Sequence, residues 1–273
     1  MDIKMSTEYF FNELTIQTSS ANTELLRQLP PVLRAREFNL YLNAGKRLTD
    51  LWLMGGRVIL GHKPSRYVLE LKNSAERGLF APLPHPAEKR FLKALSQLFP
   101  SSENGNQYRF RFYESKLSLK IALDASGLKA CLWRPFLNQS DQTQKLLIPI
   151  LPCFIHVLVL DKSLEEHFPQ GDMLSPVQLA PATRAIYNLL AAGENGGRPQ
   201  YQSVNKALSK ANKWKRQGIY LTRNSGIKEN WEDLWKHFLE KGFLLPPSAF
   251  EPLILPGILS KGEEAKLAGL LEL

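Results

Sequence analysis

Few residues in this sequence combine a reactive type with a spacing that does chemistry. The histidines, His62, His85, His156, His167 and His237, are scattered and form no His-x-x-x-His pair. His156 lies in an apolar run, where a histidine is ordinarily a satisfied core residue. Cys131 and Cys153 make neither a Cys-x-x-Cys motif nor a disulfide framework, the pattern of a reducing cytoplasm. No pair of carboxylates is spaced for acid–base work. Ser115 stands at a predicted helix start, where its hydroxyl can cap the first turn. Lys145 closes a polar loop, Asn138 to Gln144, and such a lysine is normally solvated. Lys206, Lys210, Lys213, Lys215 and Arg216 surround Trp214, a mixture that can grip a nucleic-acid backbone. A solvated helix face running into a strand accounts for the same residues. The glycine-rich Gly193 to Arg198 has no preceding strand and no nucleotide-loop spacing, so it reads as a linker.

The scaffold around these residues is long enough for one large or two small domains. The chain has 273 residues, 44% of them hydrophobic, and a formal net charge of +9, which favours an acidic partner, nucleic acid or an anionic cofactor. The first residues carry acids and no long apolar run, so no signal peptide is expected. The longest apolar run, Leu146 to Leu160, is too short to span a bilayer and contains Pro149 and Pro152; it reads as buried strand.

Phe38, Leu40 and Leu42 alternate as a half-buried strand, Asn43 to Lys46 turns, and Arg47 to Leu53 forms a second strand before Gly55-Gly56. Helices are predicted over Arg66 to Arg77 and Pro86 to Phe99, and Tyr108 to Tyr113 alternates strictly as a strand. A helix follows from Ser115, ended by Gly127. Leu128 to Leu132 and His156 to Leu160 read as strands, with a short helix over Ser163 to Phe168. Near the end, Gly218 to Leu221 is a strand, Asn230 caps a helix bearing Trp231, Leu234, Trp235 and Phe238, and Gly242 ends it. Ser260 and Glu263 form a capping box before the last helix.

The stretch REFNLYLNAGKRLTDLWLMGGRVILGHKP, Arg36 to Pro64, resembles the N-terminal segment of class III aminotransferases, pyridoxal-phosphate (PLP) enzymes of fold type I. Gly45, Arg47, Asp50, Leu51, Leu60, Gly61, His62 and Pro64 match the family pattern, and Asn43 replaces its acidic turn residue. The order helix, loop, strand, Ser115, helix also resembles the family, whose serine-glycine turn delivers backbone amides to the cofactor phosphate; here Lys116-Leu117 stands in place of the glycine. Ile155 to Leu190 resembles the run after the family's Schiff-base lysine, which makes Lys145 the positional stand-in for that lysine. The C-terminal pattern GFLLP…PLILPGILSKGEE resembles the family's small domain, but Leu253, Ile254 and Leu255 occupy the strand where the family places a carboxylate-binding arginine.

The resemblance implies an α/β chain with an α+β small domain at 34–64 and 182–273, a reduced large-domain remnant at 65–181 and an N-terminal arm at 1–33. Family members are considerably longer, so most of the PLP-binding core is expected to be deleted. Lys145 becomes the candidate catalytic residue and Ser115 the candidate cofactor-binding residue, with PLP the implied cofactor. Three functions follow: a degenerate cytoplasmic aminotransferase-like protein that binds or dimerises, as a homodimer or with a related chain; a residual PLP-dependent aminotransferase; and a basic nucleic-acid-binding protein.

Overall fold

The apolar periodicities resolve into strands and helices in the computed structural model, which describes residues 20–100, 107–137, 145–194, 200–224 and 230–272. The chain opens with α1 (Ser20–Arg27), β1 (Val32–Arg36), β2 (Asn39–Leu42) and β3 (Arg47–Asp50). Helices α2 (Tyr67–Glu76) and α3 (Pro86–Leu98) precede β4 (Tyr108–Tyr113) and α4 (Lys116–Ser126). Strands β5 (Cys131–Trp133), β6 (Leu146–Pro149) and β7 (His156–Asp161) lead to α5 (Pro176–Glu194). The last part holds α6 (Gln202–Lys210), β8 (Trp214–Gln217), β9 (Tyr220–Arg223), α7 (Trp231–Glu240), β10 (Phe243–Leu244), β11 (Leu253–Ile254) and α8 (Lys261–Glu272). No described helix is long and apolar enough to cross a membrane.

Two compact units form, Met1–Lys63 with Gly196–Leu273 and Pro64–Asn195. The boundary expected at residue 182 therefore moves to 195/196. The reason is local: Pro176–Glu194 is one continuous helix, with Leu179, Ala182, Ala185 and Ile186 buried along one side and packed with α2 and α3. The apolar positions of the N-terminal arm (Phe10, Phe11, Leu14, Ile16), most of the loop after α3, the Asn138–Gln144 loop and most of the Gly193–Arg198 linker lie outside the described residues.

In the first unit, β1, β2, β3 and β10 make a sheet. β3 runs parallel to β10, with Thr49 opposite Phe243 and Asp50 opposite Leu244, while β11 pairs antiparallel with β9. Ile254 N reaches back from β11, donating to Leu51 O at 2.7 Å. Asp50, 2% exposed, organises the turn beyond β3: its Oδ1 accepts from Trp52 N and Leu53 N, both at 2.9 Å, and its Oδ2 lies 3.0 Å from His62 Nε2. That holds Leu60-Gly61-His62 against the β1–β2 turn, where His62 N donates to Glu37 O. Gly61, at φ +88°, could not carry a Cβ here without approaching the Glu37 carbonyl to 3.0 Å. Trp235 is fully buried and donates from Nε1 to Leu245 O, and the Ser260–Glu263 capping box forms as its spacing predicts.

In the second unit the sheet order is β4-β7-β6-β5. β7 is central and its residues Val157 to Leu160 are all 0% exposed, which is why this segment reads as a continuous apolar run rather than an alternating one. Val157 and Val159 join a core with Phe91, Leu95, Phe112, Leu179 and Ile186. On the sheet, α4 packs against β4 and β7 and buries Leu119, Ala122 and Leu123. The segment before α5 is pinned to β4 through Asp172 N, which donates to Phe112 O at 2.7 Å.

Two glycines should respond to alanine in opposite directions. A Cβ at Gly171 would lie 2.5 Å from Phe112 O and 2.7 Å from Phe112 N, both backbone atoms. Gly171→Ala should therefore destabilise the protein by about 2 kcal/mol or more. Gly262 sits inside α8 with open space around it, so Gly262→Ala should stabilise by about 0.5–1 kcal/mol. Urea unfolding of both variants measures the two shifts.

Candidate functional site

Ser115 sits where β4 hands over to α4. Its backbone is extended and its Oγ accepts from Ser118 N at 3.0 Å, so the hydroxyl closes its own helix in a reciprocal box with Ser118. A partner from distant sequence completes this turn: Asp172 Oδ2 accepts from Glu114 N at 2.9 Å and from Ser118 Oγ at 3.1 Å. The α4 amino terminus thus already holds a carboxylate of the chain's own, in the place where a helix favours negative charge.

Lys145 is exposed and lies just before β6. Its carbonyl accepts from Asp161 N at 2.7 Å, and Asp161 is opposite Tyr108, the first residue of β4. Ser115 follows Tyr113, the last residue of that strand. β4 spans about 17 Å at ~3.3 Å per residue over its five steps; Ser115 lies just beyond its Tyr113 end, while Lys145 lies before β6, two strands away in the order β4-β7-β6 and level with the Tyr108 end. The sheet does not bring them together.

A PLP phosphate requires amides that it can approach closely, and the turn at Ser115 is built otherwise. Lys116 brings a Cβ where glycine would leave room, the Ser115 hydroxyl is engaged with Ser118 N, and the Asp172 carboxylate repels a phosphate dianion. These residues do not fit the group. The expected substrate-binding strand carries no cation either: Leu253, Ile254 and Leu255 are buried and apolar. Among the described residues, no cluster of three or more His, Cys, Asp or Glu side chains is placed to hold a metal ion.

The basic segment also changes character once folded. Trp214 is 6% exposed and meets Trp231 edge-on, with ring centroids 6.4 Å apart, so it is no stacking platform for a base. Lys210 pairs with Glu272 at 3.0 Å, and the Arg216 guanidinium is bonded to Asn205 and Gly218 O.

One charged cluster lies beyond sequence reasoning. Arg109 Nε and Arg111 Nη2 reach the two oxygens of Glu165, at 3.3 and 3.1 Å. The hydrogen bond from Arg111, with the nearby charges of both arginines, holds the Glu165 carboxyl below the usual carboxylate range. The strict alternation of YRFRFY puts both arginines on one face of β4, but nothing in the sequence marks Glu165, more than fifty residues away, as their partner. The side chains described above supply charge pairing and helix capping.

No family model matches the chain. An uncharacterized protein of Treponema pallidum (strain Nichols) is 34% identical over 180 residues, 62% of this chain and 56% of that relative, so the chain spans little more than half its length. An uncharacterized protein of Borreliella burgdorferi is 26% identical over 249 residues, covering 88% of this chain and 89% of the relative. Among solved structures, an omega-transaminase from Sphaerobacter thermophilus superposes with a TM-score of 0.66 at 11% identity, over 94% of this chain and 97% of its own. Plasmodium falciparum ornithine delta-aminotransferase superposes with a TM-score of 0.62 at 12% identity, over 98% and 97%. Acetylornithine aminotransferase from Elizabethkingia anophelis gives 0.58 at 12% identity, over 90% and 94%. At these identities the likeness is one of architecture, and the chain has the α/β fold of the aminotransferases.

Proposed function

We propose that this chain is an aminotransferase-fold protein that has given up transamination and acts by binding and self-association. The observation that carries this reading is the turn at Ser115, where the hydroxyl caps its own helix and the Asp172 carboxylate holds the place that a cofactor phosphate would need. Transamination needs a lysine nucleophile and a phosphate anchor on one cofactor, and a cation for the substrate carboxylate. Support for a shortened PLP core comes from the join between β5 and β6. These neighbours run parallel, and only residues 134–145 connect them, close to the minimum for a crossover.

Self-association is supported by apolar residues left at the surface of the second unit. Leu69 is 52% exposed, Phe80 and Leu83 are each 63% exposed, and Val68 and Leu71 are also exposed. These residues are close in sequence, on α2 and the segment after it, and an exposed group of this kind marks an interaction surface. A second copy of the chain is the proposed occupant. The site is proposed to work in the cytoplasm.

Adding PLP should give no Schiff-base absorbance band, and Lys145→Ala should behave as the parent protein does. A band that disappears in Lys145→Ala would establish the residual-enzyme reading instead. Light scattering at micromolar concentration should report a dimer that Leu69→Glu with Phe80→Glu converts to monomer; a monomeric parent protein would overturn the self-association.

A further inference from the structure

β4 is the edge of its sheet, and the ladder decides which of its main-chain groups face outward. Lys162 N donates to Gln107 O, so Gln107, Arg109, Arg111 and Tyr113 direct their backbone groups toward β7. Tyr108, Phe110 and Phe112 direct theirs away from the sheet. The register agrees at the far end, where the Phe112 carbonyl accepts from Asp172 N. There the chain starts a fifth strand and abandons it: Met173, the next residue, is 57% exposed. At Phe110 the outward carbonyl has only a 3.5 Å approach from Arg111 Nη1, and the outward N–H has no partner among the described residues.

A groove of about 630 Å³ runs along this edge, walled by Leu92 and Ser96 of α3 on one side and by Gly171 and Met173 at the end. We infer that it is a strand-addition site, which takes an extended peptide segment of a partner protein. The argument is hydrogen-bond complementarity. Phe110 offers one donor and one acceptor at main-chain spacing, which an extended peptide satisfies with a single residue. The 171–172 segment already covers the edge at Phe112, so the open seat is centred on Phe110. Leu92 and Met173 favour an apolar side chain beside Phe110. Glu88 and Asp172, exposed at the rim, favour basic flanking residues, while Glu165 pairs with both Arg109 and Arg111 and offsets one of their two charges. This site is independent of the fate of the transamination chemistry.

The test uses the full chain, labelled with nitrogen-15, and capped pentapeptides Lys-Xaa-Thr-Xaa-Lys with Xaa as Val, Leu or Phe. At least one peptide should shift the Phe110 amide resonance saturably. Methylating the main-chain nitrogens of that peptide should abolish the shift, and Met173→Glu should change its affinity about tenfold. A Phe110 amide that none of the peptides moves, or methylated peptides that bind equally well, would overturn the inference. A Phe110 shift that depends only on protein concentration would give the edge to a second copy of the chain and overturn it as well.

Discussion

The antiparallel ladder between β4 and β7 is the constraint on which the rest of the second unit depends. β7 is sealed on both faces, so its position is fixed by burial, and every β4 residue takes its place by pairing with it. That register leaves Ser115 just past the Tyr113 end of β4, with Lys145, before β6, level with the Tyr108 end. It also turns the Arg109 and Arg111 side chains toward Glu165, and it leaves the Phe110 main chain facing outward.

The first unit keeps the family-like stretch for a different physical reason. Asp50 is buried, and three groups converge on it: two backbone amides and the His62 ring. Removing one partner of such a cluster leaves a desolvated carboxylate, which costs more than the hydrogen bond itself. The matched residues Asp50, Gly61 and His62 are therefore explained by folding alone: a carboxylate that organises a turn, a glycine pressed on Glu37, and a histidine that joins the two. Likeness in this stretch reports architecture and carries no chemistry by itself.

What was legible in the sequence was local. Strict alternation in Tyr108 to Tyr113, the Asn230 cap and the Ser260–Glu263 box all act within a few residues, and each forms where its spacing indicates. The resemblance of Arg36 to Pro64 pointed to the right fold class. Pairings across long stretches of chain were not legible. The parallel match of β3 with β10 is set by a helix and turn far downstream, and the Asp172 contact with Glu114 and Ser118 joins residues more than fifty positions apart. Residue 182 lies inside a continuous helix, so no local break in the sequence marks where the second compact unit ends. Trp214 among its lysines looked like a binding surface because sequence cannot say which face a strand buries.

The most direct measurement of the central claim is borohydride trapping after incubation with PLP, followed by mass mapping of the modified lysines. Random Schiff bases on exposed lysines give substoichiometric adducts spread along the chain, and that is the predicted result. A single stoichiometric phosphopyridoxyl adduct at Lys145, weakened by Ser115→Ala, would contradict the account, because it would require the turn at Ser115, already capped and holding Asp172, to seat the cofactor phosphate.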